Sequence, residues 1–149
     1  MILALKFFFT IILSSLIPQL IKVIRAKVKS EGNFFEALAE TGGMPSSHSS
    51  LMAAITLLIF LDGGFSPLFF LSFVMMAIVI RDAVGVRYSV GEQARVLNRL
   101  VDMQGAPGKK AKTAGAAEKV RIVKGHKNEE AAVGVIIGIA IALIVYFLL

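Results

Sequence analysis

Apolar residues fall along the chain in four long runs, each bounded by polar or glycine-rich breaks. Ile2 to Ile24 is the first, interrupted by Lys6 near its start and by Pro18, Gln19 and Lys22 near its end. About 20 apolar residues match the hydrocarbon thickness of a bilayer, so this run predicts a spanning helix. No small-x-small site follows it and its basic residues trail rather than lead, which favours a retained helix over a cleaved leader. His48 to Leu61 and Pro67 to Ile80 are two further runs, separated by Asp62-Gly63-Gly64-Phe65-Ser66, a turn-forming cluster that predicts an antiparallel hairpin. A tight turn leaves the outer ends of the hairpin, Pro45–His48 and Arg81-Asp82, at one membrane surface. Ala131 to Leu149 is the last run, and its Gly134 and Gly138, four apart, form a small face suited to close helix packing. Packing within the chain is the expected use of that face; a homodimer is the competing one.

The stretches between the runs differ in kind. From Ala83 the apolar positions 83, 86, 90, 94, 97 and 101 recur at spacings of three and four, with Arg81, Glu92, Arg95, Arg99 and Asp102 on the other side. This predicts an amphipathic helix that extends the third span or lies in the interface. Arg25 to Thr41 is a mixed-charge connection in which Phe34, Phe35 and Leu38 are able to lie at the interface, and Gln104 to Lys119, rich in Gly, Ala and Lys, reads as a flexible loop. Residues 1–149 are therefore expected to form a single all-α membrane domain of about four transmembrane helices plus one amphipathic helix.

Composition agrees: 56% hydrophobic residues and a mean hydropathy of +0.78 exclude an ordinary soluble domain. The absence of cysteine excludes disulfides, thiolate catalysis and cysteine-ligated metals. A net charge of +6 raises the question of nucleic acid, but the basic residues sit in connections between apolar spans, which points to anionic lipid headgroups instead. With four spans, 15 of the 16 Lys and Arg residues fall on one side of the membrane. The positive-inside rule makes that side cytoplasmic, with both termini outside, and the cell membrane is the expected location.

Candidate chemistry gathers on that basic side. Gly42-Gly43-Met44-Pro45-Ser46-Ser47-His48-Ser49-Ser50 is a polar turn running into an apolar helix, with proline suited to a first turn and serines suited to capping. Such residues are most often caps and nothing more, and a single histidine is most often incidental. Even so, the unpartnered amides of a helix start suit a phosphate, and His48 supplies a proton donor or acceptor at the same place. The other histidine, His126, stands four residues before Glu130, one turn away on a helix, where a carboxylate can hold the tautomer that leaves the second ring nitrogen free as a nucleophile. One imidazole to attack phosphorus and one to protonate the leaving oxygen suffice for phosphomonoester hydrolysis. Lys22, Arg81, Arg87 and Arg121, with Ser46 and Ser47, are the candidate phosphate-binding residues, and Asp82 and Asn98 are candidate supports. Lys124 and Lys127 read as snorkelling or headgroup-facing residues.

Pro45-Ser46-Ser47-His48 followed by His126-x-x-x-Glu130 resembles the motifs Pro-Ser-Gly-His and Ser-Arg-x5-His-x3-Asp of the type-2 phosphatidic acid phosphatase superfamily. Gly42 to Ser49, together with Arg81-Asp82-Ala83-Val84-Gly85-Val86-Arg87 and Gly91-Glu92-Gln93-Ala94-Arg95-Val96-Leu97-Asn98, is similar to its divergent branch of small membrane proteins. Ser47 stands in place of the superfamily glycine and Glu130 in place of its aspartate, and no Ser-Arg pair stands six or seven residues before His126. The resemblance implies a phosphatase-like helical fold with His126 as nucleophile, Glu130 orienting it and His48 as general acid. It further implies a metal-independent, cofactor-free enzyme acting on a lipid or polyprenyl phosphate or pyrophosphate, with membrane lipids as partners and no nucleic acid. Two other functions fit the same residues. One is a protein that binds or transports a phospholipid or anion without hydrolysis; the other is a metal-dependent hydrolase in which His48, Asp82, His126 and Glu130 collect a cation.

Overall fold

A computed structural model describes residues 1–28, 43–104, 119–120, 122 and 125–149. The interfacial Phe34, Phe35 and Leu38, most of the 104–119 loop, Arg121 and Lys124 lie outside the described residues. The described chain is helical throughout: α1 (Ile2–Val28), α2 (Ser47–Gly63), α3 (Pro67–Arg81), a π-helical turn (Asp82–Val86), α4 (Arg87–Gln104) and α5 (Asn128–Leu148).

α1 runs past Pro18 and Lys22 to Val28, four residues beyond the apolar run. Pro18 is fully buried and the helix continues through it, because neighbouring helices can support a backbone that lacks one internal hydrogen bond. α2 is the centre of the bundle and packs on α1, α3 and α5. Its 17 residues span only about 25 Å, whereas three helical stretches are long and apolar enough to cross a bilayer: Ile2–Lys27, Pro67–Met103 and Asn128–Leu148. The expected helical bundle of about four apolar helices is present as three long helices and a shorter apolar one. α2 enters from Ser46, whose hydroxyl accepts the Ser49 amide, and α3 enters from Ser66 with Pro67 in its first turn. Between them Gly64, at φ +60°, closes the hairpin and donates to the Phe60 carbonyl at 2.8 Å. Phe60, Phe65 and Phe69 cluster there with ring centroids 5.0 to 5.5 Å apart.

Gly134 and Gly138 face α2 within the chain. A Cβ at Gly134 would lie 2.4 Å from the Ser46 carbonyl oxygen, and one at Gly138 would lie 2.1 Å from that of Ser50. Both are distances at which backbone has to move, so α5 approaches α2 backbone to backbone. At the far end Lys6 Nζ donates to the Tyr146 carbonyl at 3.2 Å and sits 4.5 Å from its ring centroid, which places both termini at the same end. The end of α1, the start of α2, the π turn and the start of α5 therefore meet at the opposite end.

The third span and the amphipathic helix are one continuous rod of 37 residues, interrupted only by the π turn. At about 55 Å it is nearly twice as long as the hydrocarbon core is thick, so α4 reaches beyond the span made by α3. The residues that α4 packs inward are the small ones of the stretch. Gly91 and Ala94 are buried with Ala83, whereas Val86, Val90 and Leu97 point outward. The cause is that the described residues between 119 and 126 lie along α4 in the opposite direction. Lys119 pairs with Asp102 at 2.8 Å, Val120 exchanges two hydrogen bonds with the Asn98 side chain, and His126 N–H reaches the Ala83 carbonyl. Tertiary contact with small residues sets the face, leaving the larger apolar ones outward.

Candidate active site

The π turn is where this segment ends. Arg87 N–H reaches back five residues to the Asp82 carbonyl instead of four to Ala83, and the Ala83 carbonyl accepts from His126 N–H at 3.0 Å. Widened turns of this kind recur at functional sites because they release a backbone group and re-aim side chains. The preceding Gly125 lies flat on the rod: a Cβ there would be 2.2 Å from Tyr88 N and 2.3 Å from its Cα. Only glycine permits that approach. His126 is thus fixed through its own main chain before its side chain makes any contact.

The His126 ring is 6% exposed, and its Nδ1 lies 3.2 Å from Glu130 Oε2. The same carboxylate oxygen accepts the Lys127 N–H at 3.1 Å, so the first turn of α5 holds Glu130 in place. With Nδ1–H donated to the carboxylate, Nε2 keeps its lone pair. The Glu130 carbonyl also accepts the Ser46 N–H at 3.1 Å, tying the two helix starts together. Burial holds the His126 imidazole below its ordinary value of 6.5; the hydrogen bond to Glu130 opposes this, and the positive fields of Lys22 and His48 add to it. Lys22 and both histidines therefore share one electrostatic environment.

His48 stands at the second position of α2, acted on by the charges of Arg87, Lys22 and Asp82. Arg87 Nε donates to Asp82 Oδ2 at 2.6 Å, a pair that the π turn brings side by side. Lys22 is only 9% exposed, and its charge acts on both imidazoles. The N–H groups of Ser47 and His48 come before any intrahelical acceptor, and Ser47 Oγ receives a long hydrogen bond, 3.5 Å, from Gln19.

The structure thus gathers Lys22, Ser47, His48, Asp82, Arg87, His126 and Glu130. It uses other candidates differently. Ser46 is fully buried, its hydroxyl accepting from Ser49 N and Oγ, so it builds the turn. Arg81 is exposed and is not among the charges acting on either imidazole; it sits one position before the turn that re-aims Asp82 and Arg87. Asn98 is occupied with Val120. Among the described residues no three His, Asp or Glu side chains lie together as a group that could hold a metal ion. Gly125, Gln19 and the Ala83 carbonyl were not singled out by sequence reasoning. A glycine directly before one of only two histidines was the available signal for the first; a backbone carbonyl leaves none.

The His126 imidazole is expected to titrate below 6.5, and Glu130→Gln should move it lower, because the substitution removes the carboxylate charge that holds the imidazole up. An NMR pH titration of both proteins checks the sign.

No solved structure matches the chain. It is 36% identical over 136 residues to the uncharacterized membrane protein YuiD of Bacillus subtilis (strain 168), covering 87% of this chain and 86% of that one. A family model described as the Divergent PAP2 family matches residues 3–141. With nearly its whole length matched, this chain belongs to the divergent PAP2 family.

Proposed function

We propose that the protein is a membrane phosphohydrolase that cleaves a lipid or polyprenyl phosphate through a phosphohistidine. The observation that carries this reading is the buried His126–Glu130 pair, with a second imidazole and the cations Lys22 and Arg87 acting in the same space. His126 Nε2 attacks phosphorus as the bond to the ester oxygen breaks, and His48 gives that oxygen its proton. Water then attacks phosphorus, loses its proton to His48 and releases His126 with inorganic phosphate. Lys22, Arg87 and the amides at the start of α2 neutralise the phosphoryl oxygens, where each charge-assisted hydrogen bond contributes about 1.5–3 kcal/mol.

Purified protein is expected to release inorganic phosphate from long-chain lipid phosphates with a chelator present. Binding of such lipids without release would leave the non-hydrolytic reading; release that depends on added divalent metal would restore the metal-dependent one. The site is proposed to face the cytoplasm of the cell membrane, on the basic side of the bundle. The chain has no native cysteine, so Asp62→Cys at the hairpin tip should react with an impermeant thiol reagent added to intact cells and Arg99→Cys should not. The opposite pattern reverses the orientation.

A further inference from the structure

Between α4 and the start of α5 lies a cavity of about 310 Å³. Neither imidazole lines it, nor does Lys22 or Arg87; it meets the candidate active site at Gly125 and at the Glu130 side chain. Tyr88, Glu92 and Arg95 come from one face of α4, three and four residues apart, and Lys127 and Glu130 face them from α5. Among the described lining residues the charged side chains are two cations, Arg95 and Lys127, and two carboxylates, Glu92 and Glu130, with Arg95 and Glu92 paired to each other. A lone anion would meet two carboxylates there and a lone cation would meet two bases, so the lining suits a molecule that carries both signs.

We propose that this cavity binds a small zwitterion, its anionic group on Arg95 and Lys127 and its ammonium on Glu92 and Glu130, and that the ammonium draws Glu130 away from His126. Among the described residues Glu130 is the one side chain that both lines the cavity and bonds an imidazole, so occupancy of the cavity is read at His126. A phosphate or carboxylate bearing an ammonium a few bonds away has the required chemistry, whether it is a free solute or the headgroup of a membrane lipid. Binding does not depend on the phosphohydrolase reading; the effect on turnover does.

The test uses the full chain and phosphoethanolamine as probe. Calorimetry in detergent is expected to show binding that weakens at least tenfold in Arg95→Gln and in Glu92→Gln, both exposed positions whose mutual ion pair adds little to stability, and that persists in His126→Ala. Turnover of the wild type should fall as phosphoethanolamine saturates while that of Arg95→Gln should not, whereas competition for the catalytic site would inhibit both equally. If only a lipid supplies the group, nanodiscs of phosphatidylethanolamine should lower turnover relative to phosphatidylglycerol discs, and Arg95→Gln should remove the difference. Three results would overturn the proposal: no response in either arm, binding unchanged in both variants, or inorganic phosphate and ethanolamine each binding as tightly alone. Binding without any turnover in the wild type would retain the site and discard the phosphohydrolase.

Discussion

His126→Ala is expected to abolish phosphate release and covalent labelling together. The loss should be on the order of 10⁴-fold or more, as when an enzyme's nucleophile is removed. The expectation follows from the arrangement of the ring: Nδ1 is committed to Glu130 at 3.2 Å, which leaves Nε2 as the atom able to form a bond to phosphorus. His48 cannot substitute. It stands on a different helix without a carboxylate bonded to its ring among the described residues, and its place is beside the charges of Arg87 and Lys22. His48→Ala should therefore behave differently, since a substrate whose leaving group needs no proton can still phosphorylate His126. Without a base to activate water, labelled protein should accumulate. Retained labelling in His126→Ala would show that another residue attacks.

The second large effect comes from a residue with no side chain. Gly125→Ala puts a methyl group 2.2 Å from the Tyr88 amide nitrogen, and the atoms it meets are backbone atoms of a helix, which cannot rotate away. The segment has to lift off α4, taking with it the His126 N–H that now reaches Ala83. A displacement of about 1 Å at a reacting atom costs roughly 100-fold in rate, so turnover should fall by that much or more while the bundle stays folded. Gly85→Ala is the matching control, because nothing lies within 4 Å of a Cβ there. Equal loss of activity in both variants, or full activity in Gly125→Ala, would remove the docking of this segment from the account.

Most of the framework was legible because membrane helices announce themselves by long apolar runs, and turns by Gly, Ser and Pro. The hairpin with its Asp62–Ser66 turn, the Ser46 helix start and the Gly134/Gly138 face follow directly from residue type and spacing. His126 and Glu130 were legible as a pair for the same reason, four residues being one turn. The lining of the site was less so. Arg81 and Arg87 are equivalent by sequence, and only the π turn, which has no compositional signature, separates the arginine paired with Asp82 and acting on His48 from the other. The packed face of α4 was not legible, because the apolar spacing reports which residues avoid water and not which pack on protein. A segment that docks backbone to backbone selects small ones instead, hence Gly91 and Ala94 inside and Leu97 outside. Lys22 illustrates the converse: a lysine interrupting an apolar run is conspicuous in sequence, and it lies buried near both imidazoles.

The central claim is that His126 carries phosphate during turnover, and it can be tested on the intermediate itself. His48→Ala protein, mixed with an aryl phosphate or activated lipid phosphate and quenched in alkali, which preserves phosphoramidate, would be digested and read by mass spectrometry. The account predicts one phosphorylated site, on His126, and none when Glu130→Gln and His126→Ala are combined with His48→Ala. Phosphate on any other residue, or wild-type turnover with no phosphohistidine trapped in His48→Ala, would contradict it.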